Sequence, residues 1–260
     1  MPVLLAHGGP GHYDYLEPVA SMLSDLALVH RYDQRGGGRS ASSGPWTISA
    51  LVADIEALRS SFGHARWIVG GHSWGAHLVL FYALAFPERV LGLVLLNGPG
   101  LRWGWGPARR AARLPRLTPA EREEVERLER DGSTAALERL RDLWWITDFA
   151  SRDNALRSPP FTTYARDPSV VSALERDWEA TLSGIESRLG ALSMPSLVLH
   201  GEADPMGEDG PRELACSLPD ARFVVLPGVG HLPWLEDPTR LRSSLREFIT
   251  QLRSLVRDGA

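Results

Sequence analysis

Short apolar runs alternate with amphipathic stretches along most of this chain. Residues 3–6 are apolar throughout and run into the glycine-rich turn His7-Gly8-Gly9-Pro10-Gly11. Residues 27–32 form a second strand candidate, followed by Asp33-Gln34-Arg35-Gly36-Gly37-Gly38-Arg39-Ser40. Ile48, Leu51, Val52, Ile55 and Leu58 recur at helical spacing, which predicts an amphipathic helix over 48–62. Residues 67–70 read as a third strand, and 76–86, apolar at nearly every position, as a buried helix. Residues 90–96, 196–200 and 222–226 are further strands. Leu241, Leu245, Phe248, Ile249, Leu252 and Leu255 give an amphipathic helix over 241–256. Strands that alternate with helices imply βα units, a parallel sheet and a three-layer α/β architecture.

Residues 101–192 break that rhythm. They hold no convincing strand but three helix starts: the capping box Thr118-Pro119-Ala120-Glu121, then Ser133, then Asp167-Pro168. The pairs Glu123–Arg127 and Glu126–Arg130 mark a solvated face on the first of these helices. The pattern predicts a core made of 1–100 and 193–260, with 101–192 inserted as a helical cap.

Composition narrows the chemistry. The chain has 260 residues, enough to bury roughly three-quarters of its unfolded surface. With 28 basic and 32 acidic side chains its net charge is −4, which is not the footprint of a nucleic-acid binder. No apolar stretch is long enough to span a bilayer, and the first residues lack the basic and apolar regions of a signal peptide. A soluble cytoplasmic protein without membrane or nucleic-acid partners is the expectation. The single cysteine, Cys216, rules out an internal disulfide and a multi-thiolate metal site. There is no lysine, so neither a Schiff-base lysine nor the lysine of a phosphate-binding loop is available. Neither a metal nor an organic cofactor is expected.

Gly71-His72-Ser73-Trp74-Gly75 is a G-x-S-x-G that directly follows a strand candidate and opens the buried helix. A nucleophile elbow requires that setting, because the strand-to-helix turn is so sharp that glycines are needed around the serine, here Gly71 and Gly75. A serine nucleophile needs a base and an acid that orients the base. His231 lies in Pro227-Gly228-Val229-Gly230-His231 after the last strand, and Asp204 lies in Gly201-Glu202-Ala203-Asp204-Pro205 after the strand over 196–200. Both stand at carboxyl ends of strands, where open α/β sheets hold their ligands. Glu202, Glu208 and Asp209 are alternative acids, and the preceding strand ends on Asn97, which is no carboxylate. The backbone N–H of Trp74 and that of Gly9 are the candidate oxyanion donors. A plain turn is the competing reading of the first glycine-rich loop, and His7 and His72 read as structural histidines.

These motifs, taken with Tyr32-Asp33-Gln34-Arg35-Gly36 and Gly38-Arg39-Ser40, resemble the α/β-hydrolase superfamily. Their detailed form is most similar to the prolyl iminopeptidase subgroup. The resemblance covers about residues 3–100 and 193–250. It implies a mostly parallel sheet with a cap after the sixth strand of the family pattern, the fourth in this chain. It also implies Ser73 as nucleophile, Asp204 as orienting acid, His231 as base, and Gly9 and Trp74 as oxyanion donors. Three departures accompany it. His72 replaces the glycine or small residue usual in the peptidases. The N-terminal strand pair that usually precedes His7 has no sequence to form from, so the sheet is trimmed or the chain starts late. The cap glutamates that hold a substrate amine have no recognisable local pattern.

Glu175 and Glu179, one turn apart, are the candidates for that amine-holding role, against a plainer reading as a solvated helix flank. Trp103, Trp105, Trp144 and Trp145 are candidate pocket residues, against packing within the cap. Arg102, Arg109, Arg110, Arg113 and Arg116 form an acid-free strip over 101–116. The strip could dock an anionic substrate or an acidic carrier protein, or it could be a solvated loop. The expected activity is a serine hydrolase cleaving an amide or ester of a small or short-peptide substrate, in its specific form an aminopeptidase for N-terminal proline or alanine. An esterase, lactonase, thioesterase or C–C hydrolase would use the same residues. A hydrolase-fold receptor with little turnover is the reading from a different class.

Overall fold

A computed structural model of the chain describes residues 1–40, 43–98, 100–101 and 105–258. Its frame is six strands: β1 (Pro2–Ala6), β2 (Leu28–Arg31), β3 (Trp67–His72), β4 (Val90–Leu96), β5 (Ser196–Gly201) and β6 (Ala221–Leu226). They form one sheet in the order β2-β1-β3-β4-β5-β6, and every pairing is parallel. Among the described residues, the sheet is fully parallel.

Parallel sheets are covered on both faces, so their strands are apolar on both. In β3, Trp67 and Val69 join one core cluster while Ile68 joins the other, and all three are fully buried. Leu4 and Ala6 of β1 alternate with Val3 and Leu5 in the same way, as Leu93 and Leu95 of β4 do with Val94 and Leu96. Each such large side chain contributes roughly 1.5–3 kcal/mol by leaving water.

The helices in chain order begin with α1 (Glu17–Ser21), α2 (Ile48–Ser61) and α3 (Trp74–Ala85). Next come α4 (Trp105–Arg113), α5 (Pro119–Asp131), α6 (Thr134–Thr147), α7 (Arg152–Arg157), α8 (Pro168–Leu182) and α9 (Glu186–Leu189). The last are α10 (Asp209–Ser217), α11 (Pro233–Glu236) and α12 (Pro238–Asp258). Helices α2, α3, α8 and α10 supply residues to the cluster containing Trp67, whereas α1, α11 and α12 supply the cluster containing Ile68. Buried residues run along α3 from Trp74 to Ala83 without a polar face, because it lies against the sheet centre. No helix among the described residues is long and apolar enough to cross a membrane.

Helices α4–α9 fill the interval between β4 and β5. The capping box at Thr118 forms, with Thr118 Oγ1 accepting from the Glu121 N–H and the Glu121 carboxylate accepting from the Thr118 N–H. Ser133 and Asp167 also cap their helices. The sequence pattern leaves α4, α7 and α9 unpredicted; the last two have six and four residues, too few to show a period. Leu117, Val125, Leu140 and Leu143 make a small separate core between α5 and α6. Helix α8 instead buries Val170, Leu174, Trp178 and Leu182 in the cluster that contains Trp67.

Candidate active site

The register of the sheet gathers the site. Ala6 of β1 pairs with Gly71, His72 with Leu96, and Leu96 with Leu199. The loops after β1, β3, β5 and β6 therefore leave the same edge. Between β3 and α3 the chain reverses at Ser73, whose φ of 55° is a left-handed conformation unusual for a residue with a side chain. Its N–H donates to Leu96 O at 2.9 Å. The flanking glycines are sterically required: a Cβ on Gly71 would stand 2.0 Å from Gly75 O, and one on Gly75 would stand 2.2 Å from Ala6 O.

Ser73 Oγ lies 3.0 Å from His231 Nε2, and His231 Nδ1 lies 2.7 Å from Asp204 Oδ2. The required tautomer has Nδ1–H donating to the carboxylate and Nε2 accepting the serine proton. Asp204 Oδ2 also accepts from Asn97 Nδ2 at 2.7 Å, and Oδ1 accepts from the Met206 N–H at 2.9 Å. Burial opposes ionisation of Asp204, but the His231 ring and these donors hold its carboxyl well below the usual carboxylate range. Glu202, a competing acid, spends its carboxylate on the Gly228 N–H.

His231 is held by its backbone as well. Its N–H donates to Asp148 O at 2.7 Å, and its carbonyl accepts from His72 Nε2 at 2.8 Å. His72 Nδ1 accepts in turn from Tyr15 Oη at 2.7 Å, and that oxygen accepts from the Gly8 N–H at 2.8 Å. The elbow histidine thus links the first glycine-rich loop to the backbone of His231. Burial, reinforced by the adjacent His231, pushes His72 far below the usual imidazole range, so it stays neutral. His7 is also fully bonded, donating to Gly8 O and accepting from the Gln34 N–H. Gln34 returns a bond to His7 O and accepts from Trp74 Nε1. That is how Tyr32-Asp33-Gln34-Arg35-Gly36 steadies the elbow.

The Gly8 N–H is engaged by Tyr15, and Gly9 follows it in the loop. Gly9 has φ +64° and lines a cavity of about 150 Å³ together with Ser73 and Trp74. Trp74 is the first residue of α3, so its N–H is among those a helix start leaves unpaired by its own ladder. Glu175, Trp178, Arg109 and Arg166 complete most of the wall. Glu179, a turn beyond Glu175, is exposed and outside that lining.

Two of the aromatic candidates, Trp144 and Trp145, are outside that lining. Trp144 packs on the α5–α6 core beneath the guanidinium of Arg113. Trp145 donates to Ser158 O and packs against Phe149 and Phe161. Trp103 lies outside the described residues, as does the side chain of Trp105. Trp178, whose period matches a buried helix stripe, reaches the cavity from α8, as Trp74 does from the elbow.

Within the arginine strip, Arg109, Arg113 and Arg116 turn inward, whereas Arg110 stays 42% exposed. Arg109 and Arg113 bracket the Asp148 carboxylate at 2.8 and 2.7 Å. Arg116 donates to the carbonyls of Thr147, Phe149 and Ala203, and Arg110 pairs with Glu129. Arg102 falls outside the described residues. Asp148, which the sequence pattern does not single out, is a second buried carboxylate beside His231. Burial opposes its ionisation, but Arg109, Arg113 and His231 draw it below its ordinary value. No group of three or more His, Cys, Asp or Glu among the described residues is placed to hold a metal ion. Cys216 is exposed on α10.

A family model for the alpha/beta hydrolase fold matches residues 1–238. The chain belongs to that family. Within the family it is similar to the proline iminopeptidase of Neisseria gonorrhoeae, with 45% identity over 98 residues, 36% of this chain and 32% of that protein. That match spans about a third of the relative's length. The proline iminopeptidase of Lactiplantibacillus plantarum is 26% identical over 264 residues, covering 95% of this α/β-hydrolase and 91% of the relative. Among solved structures, a thermophilic esterase from Thermogutta terrifontis superposes with a TM-score of 0.73 at 26% identity, over 97% of this chain and 90% of that one.

Proposed function

We propose that this α/β-hydrolase is a serine hydrolase that opens an amide bond through an acyl-enzyme, as an aminopeptidase for N-terminal proline or alanine. The observation that carries the reading is the continuous hydrogen-bonded line from Ser73 Oγ through His231 to Asp204 at the floor of a small cavity lined by Glu175. In this reading residues 101–192 act as the cap, and Glu175 accepts the substrate's free amine. The likeness to proline iminopeptidases, one of them along nearly the whole chain, supports it.

Ser73 Oγ attacks the carbonyl carbon as its proton passes to His231 Nε2. Asp204, held ionised, fixes the ring tautomer and stabilises the imidazolium. The oxyanion is received by the N–H groups of Gly9 and Trp74, each worth on the order of 3 kcal/mol in the transition state. His231 then returns its proton to the leaving nitrogen and the C–N bond breaks. Water, deprotonated by His231, releases the acyl group from Ser73. These steps need only groups of this chain and water.

The likeness to an esterase favours one second reading, in which the same residues cleave a small ester. Rates for wild type and Ser73→Ala on prolyl and alanyl arylamides, free and N-acylated, and on p-nitrophenyl esters decide between the two. The aminopeptidase reading expects hydrolysis of the free-amine arylamides, lost on N-acylation and reduced roughly a million-fold in Ser73→Ala. Activity on esters alone would discard the peptidase in favour of the esterase. Failure of a fluorophosphonate to label Ser73 would leave a binding protein.

A further inference from the structure

Two opposite charges line the cavity beside Ser73 without forming a direct ion pair with each other. Glu175 and Arg166 both contribute to its wall. They are close enough for Glu175 to attract the Arg166 guanidinium electrostatically. Neither, however, has an ion-pair partner among the described residues. The other wall arginine, Arg109, is engaged with Asp148. Arg166 is exposed and Glu175 half-buried, so each keeps a charge that a ligand can meet. A ligand carrying an amine at one end and an anion at the other would satisfy both at once.

Arg166 is also placed in a fixed relation to the reacting carbonyl. It is a surface residue whose guanidinium folds back onto the first glycine-rich loop, with Nε and Nη2 donating to Pro10 O at 3.2 and 2.9 Å. Pro10 directly follows Gly9, a donor for the oxyanion in the mechanism above. An anion bonded to the remaining N–H groups of Arg166 would thus sit a few atoms from the scissile bond. In a dipeptide the terminal carboxylate is separated from the scissile nitrogen by a single Cα. A planar guanidinium is well suited to a carboxylate. The cavity of about 150 Å³ is far below the roughly 300–1,000 Å³ of clefts for drug-sized ligands, so it favours a short substrate.

We propose that Arg166 forms a carboxylate subsite next to Ser73, making the preferred substrates dipeptides whose leaving group is a free amino acid. The inference rests on the aminopeptidase reading for the amine at Glu175, while the carboxylate subsite can be tested apart from it. Long peptides and arylamides, which bring no carboxylate to Arg166, are then the poorer substrates.

The test compares kcat/KM for prolylglycine and prolylglycinamide in wild type, Arg166→Gln and Arg166→Lys. Wild type is expected to prefer the free acid by about tenfold or more, the size of a charge-assisted hydrogen bond. That preference should fall to about one in Arg166→Gln and be partly kept in Arg166→Lys. Equal rates on the two peptides in wild type, or an unchanged preference in Arg166→Gln, would overturn the proposal. If neither peptide is cleaved while p-nitrophenyl acetate is, the aminopeptidase reading fails on its own. Inhibition of that ester reaction by N-acetylglycine against N-acetylglycinamide then decides: selectivity for the acid in wild type upholds the subsite, and equal inhibition removes it.

Discussion

Replacing Tyr15 with phenylalanine deletes one oxygen that joins the first glycine-rich loop to the elbow histidine. The ring itself should stay in place, since it stacks on Phe161 at 4.5 Å and on Trp234 at 5.8 Å between centroids. What is lost is a donor to His72 Nδ1 and an acceptor for the Gly8 N–H, at 2.7 and 2.8 Å. Gly8 and His72 are both buried, so water does not readily replace the missing oxygen. Leaving a buried polar group unpaired costs about 1–3 kcal/mol, so two groups amount to about 2–4 kcal/mol after partial relaxation. For a chain of this size that is a fall of roughly 5–15 °C in Tm. The catalytic consequence follows from position: the loop that carries the Gly9 amide and the strut that bears on the His231 carbonyl lose their common anchor. A kcat reduced by about tenfold, with KM changed much less, is expected because the oxyanion contact matters most in the transition state. Urea denaturation at pH 7 and steady-state kinetics on the best amide or ester substrate measure the two effects. A stability loss under about 0.5 kcal/mol together with an unchanged kcat would refute the role given to the Tyr15–His72 link.

Two further predictions concern stability. Asp148→Asn would leave Arg109 and Arg113, whose side chains are only 17% and 13% exposed, without their shared counter-charge. A loss of about 3–5 kcal/mol in urea denaturation is expected, and a loss below about 1 kcal/mol would show that the cluster contributes little. His77, 2% exposed beside Trp178, is held at about 4 by burial, below the usual value near 6.5. Its neutral form is therefore a stabilising contribution present in full above pH 6.5 and lost as pH falls toward 4, by about 3 kcal/mol in all. His77→Gln should flatten the pH dependence of unfolding by close to one proton between pH 4.5 and 6. An unchanged slope would remove His77 from the account.

What could be read in the sequence depended on how local the constraint is. The elbow was legible because its geometry is enforced within five residues: Gly71 and Gly75 have no room for a Cβ. Asp204 and His231 could be found because each follows a strand on a short loop, and parallel strands deliver such loops to one edge. Asp148 carries no such mark. It follows α6 in an unremarkable segment, and only the folding of α4 against it brings Arg109 and Arg113 to its carboxylate. The pairing of Arg109, Arg110, Arg113 and Arg116 is hidden for the same reason: a linear run of like charges looks unneutralised until carbonyls and carboxylates distant in sequence close around it. Trp144 faces the small α5–α6 core and Trp145 the apolar cluster that contains Ile68, a choice of helix face that composition does not reveal. Trp178 and Glu175 lie on the inner side of α8, where the apolar period includes the first and merely adjoins the second.

The attachment of α8 has a consequence for how the molecule can be rebuilt. Because Val170, Leu174, Trp178 and Leu182 are part of the same apolar mass as β3 and α3, and Asp177 accepts from the Ile48 N–H at 2.6 Å, this helix belongs with the scaffold. The natural seam for recombination between relatives lies near Asp167, before α8. An exchange of the segment ahead of that point transplants α5 and α6 with their own small core, whereas an exchange ending at residue 192 would also uproot part of the interior on which the serine rests.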